Sequence, residues 1–242
     1  MVINPATEYL SHIHAALRDS GLIEYVHTAA GLTWRANLER HDPEHLFDDQ
    51  RTLGFQSAAN LSNRAFEELR GTSGLLAPRV TAVIEAQATV VHVDGYHVRF
   101  VKLPANAMRT ASGPYRMRWE GREGRANAAQ RNSNNYTAPK TVLGHEPFFE
   151  LPQPGAAERL TECKDVFIAW GGRNDGRTNG WVGLPSASPQ PWLALEAAWV
   201  DDDGAAHVVT RIPPAVPPFS GVETHLPTIR LKKRPADGTA SV

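Results

Sequence analysis

A single cysteine, Cys163, stands in a chain of 242 residues. No disulfide can form within the chain, and folding does not depend on an oxidising compartment. Neither sign of charge is in excess: 25 Lys+Arg against 26 Asp+Glu leave a formal net charge of −1, which removes the global field expected of a strongly charged nucleic-acid or membrane binder. Lysine is scarce, with twenty of the 25 basic residues being arginine. Together with abundant alanine, glycine and proline this is the signature of GC-rich coding, so arginine content alone does not argue for DNA. No apolar run approaches transmembrane length, and Met-Val-Ile-Asn-Pro-Ala-Thr-Glu at the start has neither the basic nor the apolar region of a secretion signal. The cytoplasm is the expected location, with no membrane partner. Also missing are a Ser-His-Asp order, an H-E-x-x-H pair, a dinucleotide fingerprint and a complete set of metal ligands at zinc spacing. The expectation is no metal site and no cofactor.

What is present begins with Val80 to Leu103, where two β-rich runs flank Asp94-Gly95. A two-residue type I′ turn needs positive φ at both central positions, which Asp-Gly tolerates. Counting outward pairs Val93 with Tyr96, His92 with His97, Val91 with Val98 and Val90 with Arg99. Side chains alternate between faces, so Val93, Val91, Thr89, Tyr96, Val98 and Phe100 form an apolar face that is expected to pack on the core. Read as one continuous strand, the first arm carries Glu85 and Gln87 to the far end of that same face, beside Lys102.

An acid, an amide and a lysine at the end of an apolar β face partly match the metal-dependent nucleases of the PD-(D/E)xK type. There an acid on one strand and an acid-x-lysine on the next hold the Mg²⁺ that activates water. Glu85, Gln87 and Lys102 are the catalytic candidates under that alternative, and Mg²⁺ its only cofactor. The match stops at Phe100, which stands two residues before the lysine and cannot ligate a metal. The plainer reading is a diagonal charge pair at the open end of a hairpin. His92 and His97 supply two imidazoles where a transition-metal site needs a third and a fourth ligand. Cys163 reads as structural, because Lys164 points away from it in an extended chain.

Helices are expected on either side of an ambiguous stretch. Asn4-Pro5 is a cap followed by proline at the first helical position, and Leu10, Ile13 and Leu17 recur on one face until Gly21. Thr52 is the expected cap of a second helix in which Phe55, Ala58, Ala59, Leu61, Ala65, Phe66 and Leu69 keep a helical period up to Gly71. Gln56, Asn60, Asn63, Arg64 and Glu67 line its polar side. Between them, Ile23 to Thr28 and Leu32 to Ala36 lean towards two short strands around Ala29-Ala30-Gly31.

From 105 to 140 hydrophobic periodicity disappears and an irregular basic insertion is expected. Arg109, Arg116, Arg118, Arg122, Arg125, Arg131 and Lys140 stand against only Glu120 and Glu123, interleaved with Tyr115, Trp119 and Tyr136. Guanidinium groups pair with phosphates while rings stack on unpaired bases. The nucleic-acid contacts expected are therefore Arg116, Arg118, Trp119, Arg122, Arg125 and Arg131, joined by Lys232, Lys233 and Arg234 near the C-terminus, in a tail that is flexible from about 222. Strands are expected at 165–170, 181–184, 191–200 and 207–212, with a hairpin loop over Gly171 to Gly180. That loop lacks the Gly-Lys-Ser/Thr ending of a phosphate-binding P-loop.

The chain therefore reads as one α+β domain over 1–242, two N-terminal amphipathic helices packed on a mostly antiparallel sheet of hairpins. The leading functional expectation is a non-catalytic protein associated with nucleic acid. The nuclease-like fold is one alternative, and a protein-interaction or immunity-type module with a protein partner is the other.

Overall fold

The computed structural model describes residues 4–104, 107, 114, 117–119, 123–136 and 159–201. Asn4 caps the first helix, α1 (Pro5–Asp19), its side chain accepting from the Ala6 amide, with Pro5 opening the helix. After Ser20, Gly21 takes a left-handed φ of 79° and turns the chain directly into α2 (Leu22–Arg40). The expected pair of strands is corrected here. Leu22, Val26, Ala29, Ala30, Thr33, Trp34 and Asn37 are buried at helical spacing, and Ala29-Ala30-Gly31 is the small-residue middle of that stripe rather than a turn.

The third helix, α3 (Gln50–Leu69), buries Leu53, Ser57, Leu61, Ala65 and Leu69. Its cap is Asp49 rather than Thr52: the Asp49 carboxylate accepts from the Thr52 amide at 2.7 Å and from its hydroxyl at 3.0 Å. Phe55, counted in the apolar period, is 58% exposed. On the polar side Asn60 donates to Asn37 of α2 and Arg64 pairs with Glu68, so part of that face joins the helices.

Among the described residues six strands, β1 (Val80–Glu85), β2 (Ala88–Val93), β3 (Tyr96–Lys102), β4 (Asp165–Gly172), β5 (Thr178–Pro185) and β6 (Trp192–Val200), form one sheet in chain order. Every neighbouring pair is antiparallel except β3 and β4. A parallel pair needs a crossover, and this one contains α4 (Glu123–Asn135). The expected α+β class with a mostly antiparallel sheet is the observed one, with α2 as an added N-terminal helix.

The Asp94-Gly95 turn has φ of 47° and 85° and sets the counted register, Val93 with Tyr96 and His92 with His97. The first arm is not continuous. Ala86 and Gln87 take φ of 46° and 63° and form a second two-residue turn, so β1 folds back on β2 with Glu85 opposite Ala88. That turn reverses the parity of every residue before it. The stretch expected to be irregular also contains α4, whose buried residues Ala128, Ala129 and Asn132 carry too little apolar bulk to mark a helical period.

The faces of the sheet hold different cores. Helices α1 to α3 cover one, over Leu10, Ile13, Leu17, Val26, Val91, Val98, Phe100, Ile168 and Trp170. The other buries Val101, Trp119, Ala128, Ala129, Phe167, Ala169 and Trp192. Glycines in the strands let rings lie against the backbone: a Cβ at Gly172 would stand 2.2 Å from Trp34, and one at Gly180 as close to Trp199.

Candidate binding site

Lys102 is the last residue of β3 and points to the helical face. Its ammonium lies 4.5 Å from the centre of the Trp34 ring and 5.0 Å from that of Trp170, and donates to the Leu103 carbonyl at 3.0 Å. Trp34 is held in turn by Gly172 behind it and by its indole N–H, which donates to the Arg173 carbonyl at 2.7 Å. Burial lowers the Lys102 amine from 10.5 to about 8. The faces of the two rings favour a cation at that position.

Above Lys102 opens a cavity of about 460 Å³. Gln50, Arg51, Gly54, Phe55 and Ala58 of α3 line one side; Leu103 and Pro104, just after β3, and Arg125, from α4, line the rest. Three cations line it, and among the described residues no carboxylate does. Asp49 stands next to this wall, but its carboxylate faces the start of α3. It is held below the usual carboxylate range first by the Thr52 amide and in smaller part by Arg51. The cavity lies at the carboxyl ends of the parallel pair β3 and β4, where β3 leaves for α4 and β4 ends at Gly172. A crossover connection opens a crevice at that end of a sheet.

The opposite face carries a separate polar group. Asp165, at the start of β4, accepts from Arg99 Nη1 at 2.7 Å and from Arg131 Nε and Nη2 at 2.8 and 2.6 Å. Its backbone oxygen accepts from the Asn132 side chain at 2.8 Å. Arg99 also donates to Glu85 at 3.0 Å, and Glu85 meets His92 Nε2 at 3.0 Å. Burial raises the Glu85 pKa, but the His92 bond and the Arg99 charge outweigh it and leave the carboxyl below its ordinary value. His92 and His97 lie with ring centres 4.8 Å apart. Among the described residues no group of three His, Cys, Asp or Glu side chains is placed to hold a metal ion.

The structure therefore separates the three nuclease candidates. Because the Ala86-Gln87 turn reverses the parity of β1, Glu85 shares the α4 face with His92 and Arg99, Gln87 sits at the exposed turn, and Lys102 faces the helices. Phe100 is in the helical core. The basic candidates are dispersed too. Arg131 is committed to Asp165. Trp119 is buried against Phe167 and Trp192, and its indole N–H donates to the Ser186 and Pro191 carbonyls. Arg118 borders a different cavity of about 480 Å³ whose Ser186 and Ser188 bond each other. Among the described members of that set, only Arg125 joins the Lys102 cavity. Arg116, Arg122, Lys232, Lys233 and Arg234 lie outside the described residues.

Sequence reasoning missed Arg51, Phe55 and Trp34 as parts of a site. The signal for Phe55 was a bulky ring beside Arg51 near the start of a helix, but the helical period absorbed it. Cys163 is buried and its thiol faces the Asn132 carbonyl, consistent with its structural reading. No helix among the described residues is long and apolar enough to cross a membrane. Comparison with protein-family models, curated proteins and solved structures found no match.

Proposed function

We propose that this chain is a non-catalytic binding protein for nucleic acid, with the Lys102 cavity as its principal contact. The observation that carries the reading is the composition of that cavity: Arg51, Lys102 and Arg125 beside an exposed phenylalanine, with no carboxylate among the described residues lining it. Phosphate groups are met by this combination, because guanidinium forks bind their oxygens two at a time and an ammonium adds a point charge. A hydrolytic role for the cavity is disfavoured by its donor set, since Mg²⁺ is held through carboxylates and Glu85 lies on the other face.

The test is fluorescence-anisotropy titration with short single- and double-stranded DNA and RNA at two salt concentrations, with a parallel gel for cleavage in Mg²⁺. Binding that weakens as salt rises is expected, because neutralised phosphates release counterions. Arg51→Ala and Arg125→Ala should each weaken it and flatten the salt slope by about one. Alanine at Lys232, Lys233 and Arg234 measures the share of the tail separately. Absence of binding, or binding that neither arginine affects, overturns the proposal.

A further inference from the structure

We infer that Lys102 is a nucleophile that captures an aldehyde carried beside a phosphate, forming an imine in the cavity while Arg51 holds the phosphate. Two sources offer that chemistry. One is a base-free deoxyribose in a nucleic-acid strand, whose opened ring exposes an aldehyde between two phosphates; the other is a soluble aldehyde phosphate. The imine stands on the cavity itself, and only its polymeric source rests on the nucleic-acid reading above.

The setting of the amine is the first ground. Lys102 Nζ uses one donor on the Leu103 carbonyl and lies over the Trp34 and Trp170 rings. Among the described residues no carboxylate pairs with it, and burial alone moves its titration. Desolvation without a counter-ion favours the neutral amine, which is the form that attacks a carbonyl. With the amine lowered to about 8, its neutral fraction near pH 7.5 is on the order of a hundred times that of a solvated lysine. Access is the second ground. Lys102 lines a cavity of about 460 Å³, which a small carbonyl compound or one sugar of a strand can enter. Trp34, Ala58, Leu103 and Pro104 give that cavity apolar surface, and a site poor in water favours a product formed by losing water. Lys164, the other lysine among the described residues, lines neither this cavity nor the one beside Arg118.

Arg51 is the third ground. It lines the same cavity from the first turn of α3 and is exposed. The neighbouring Asp49 carboxylate is taken up by the Thr52 amide and hydroxyl, which leaves the Arg51 fork for a phosphate. Arg125 also lines the cavity but donates to the Phe100 carbonyl at 3.5 Å, so the phosphate contact is assigned to Arg51 alone. The step balances without an oxidant or reductant. The Nζ lone pair adds to the aldehyde carbon and one nitrogen proton passes to the oxygen, giving a carbinolamine. Loss of that hydroxyl with the second nitrogen proton, as water, leaves the C=N bond. A sugar without its base makes no demand for a stacking ring.

The test incubates the full chain with sodium cyanoborohydride, which reduces an imine to a stable secondary amine, and locates adducts by peptide mass mapping. The probes are a short single strand with one abasic site, the same strand intact, glycolaldehyde phosphate and glycolaldehyde. Lys102 is expected to take the adduct roughly ten times faster than any of the other four lysines, part of its advantage in neutral fraction being offset by weaker basicity. The intact strand has no aldehyde and should give none. Arg51→Ala should slow capture of both phosphorylated aldehydes about tenfold, the scale of one lost charged hydrogen bond, and leave glycolaldehyde unchanged. Lys102→Arg keeps a cation but cannot form the imine, so it should still bind the intact strand by anisotropy and take no adduct at that position.

Faster capture of the abasic strand than of glycolaldehyde phosphate assigns the source to nucleic acid; the reverse order assigns it to a soluble aldehyde phosphate, and both support the imine. Adducts spread over the five lysines with no preference for Lys102 overturn the inference, and so does equal capture of glycolaldehyde and its phosphate. Binding of the intact strand with no adduct at Lys102 from any aldehyde overturns it and leaves the proposed function standing. Capture of glycolaldehyde phosphate at Lys102 with no binding of the intact strand removes the proposed function and leaves the imine.

Discussion

Arg99 and Asp165 meet at 2.7 Å between the parallel strands β3 and β4, with 7% and 2% of their surfaces exposed. A charge so withdrawn from water is tolerated only when its partner and hydrogen bonds are in place. Asp165 is where three elements meet: Arg99 arrives from β3, while Arg131 and Asn132 arrive from α4. The network therefore docks the crossover helix on the sheet and fixes how β4 starts beside β3.

Asp165→Asn keeps the shape and removes the charge. Asn132 bonds the backbone of residue 165 and survives the change, and Glu85 still faces Arg99. The expected loss is about 3 kcal/mol, the lower end for breaking a buried pair from one side, read from urea denaturation midpoints at neutral pH. A loss under about 1 kcal/mol, the scale of an exposed pair, would mean that the group is effectively solvated.

Two glycines near the Lys102 cavity should respond in opposite directions. At Gly172 a Cβ would stand 2.2 Å from the Trp34 ring, so Gly172→Ala displaces that ring, destabilises by roughly 1–3 kcal/mol and weakens ligand binding through Lys102. At Gly54, inside α3, a Cβ meets nothing within 4 Å. Gly54→Ala should stabilise by about 0.5–1 kcal/mol, because alanine is the better helix former. Thermal melts of both variants decide the matter, and a matching sign for the two would contradict the packing described.

Cys163 should behave as part of the core. Burial first, then the charge of Asp165, pushes its thiol up to about 12, so at pH 8 almost no thiolate is present to react. Labelling with a chromogenic disulfide reagent is expected only as fast as the chain opens, with full reaction in urea. Rapid stoichiometric labelling of the folded protein would contradict this placement.

How far the sequence led depended on local chemistry. Asn4-Pro5 and Asp94-Gly95 act through groups within a few residues of themselves, and both gave the structure seen. Ala86-Gln87 turns the chain as sharply with neither glycine nor asparagine, so nothing in its composition announced it, and one hidden turn moved Glu85 to the opposite face from Lys102. The α4 helix was hidden for another reason: it buries alanines and an asparagine, which leave no hydrophobic period to count. Gly172 read as loop because glycine is common there, whereas it ends β4 and lies against the Trp34 ring of α2. The candidate cavity depends on such distant pairings, of α3 and α4 about the end of β3, which one-dimensional spacing does not contain.

Lys102 gives the last prediction, because its seat makes stability and binding respond to pH in opposite ways. Its amine is lowered to about 8 in the fold from 10.5, and the charged groups facing it across the cavity, Arg51 and Arg125, stay protonated throughout. Between about pH 8 and 10.5 the unfolded chain keeps a proton that the folded chain has released. Stability therefore gains a rising contribution with pH across that window and a flat one below it. A bound anion needs the charged amine, so affinity should fall as pH rises through about 8, down to what the two arginines sustain. Lys102→Met should remove both effects, leaving a fold at least as stable at pH 7 and an affinity already reduced there. Urea midpoints and anisotropy from pH 7 to 10, each compared between the two proteins, isolate Lys102 from other groups that titrate in this range. Parallel pH profiles for wild type and Lys102→Met would show that the ammonium is neither desolvated nor in contact with the ligand.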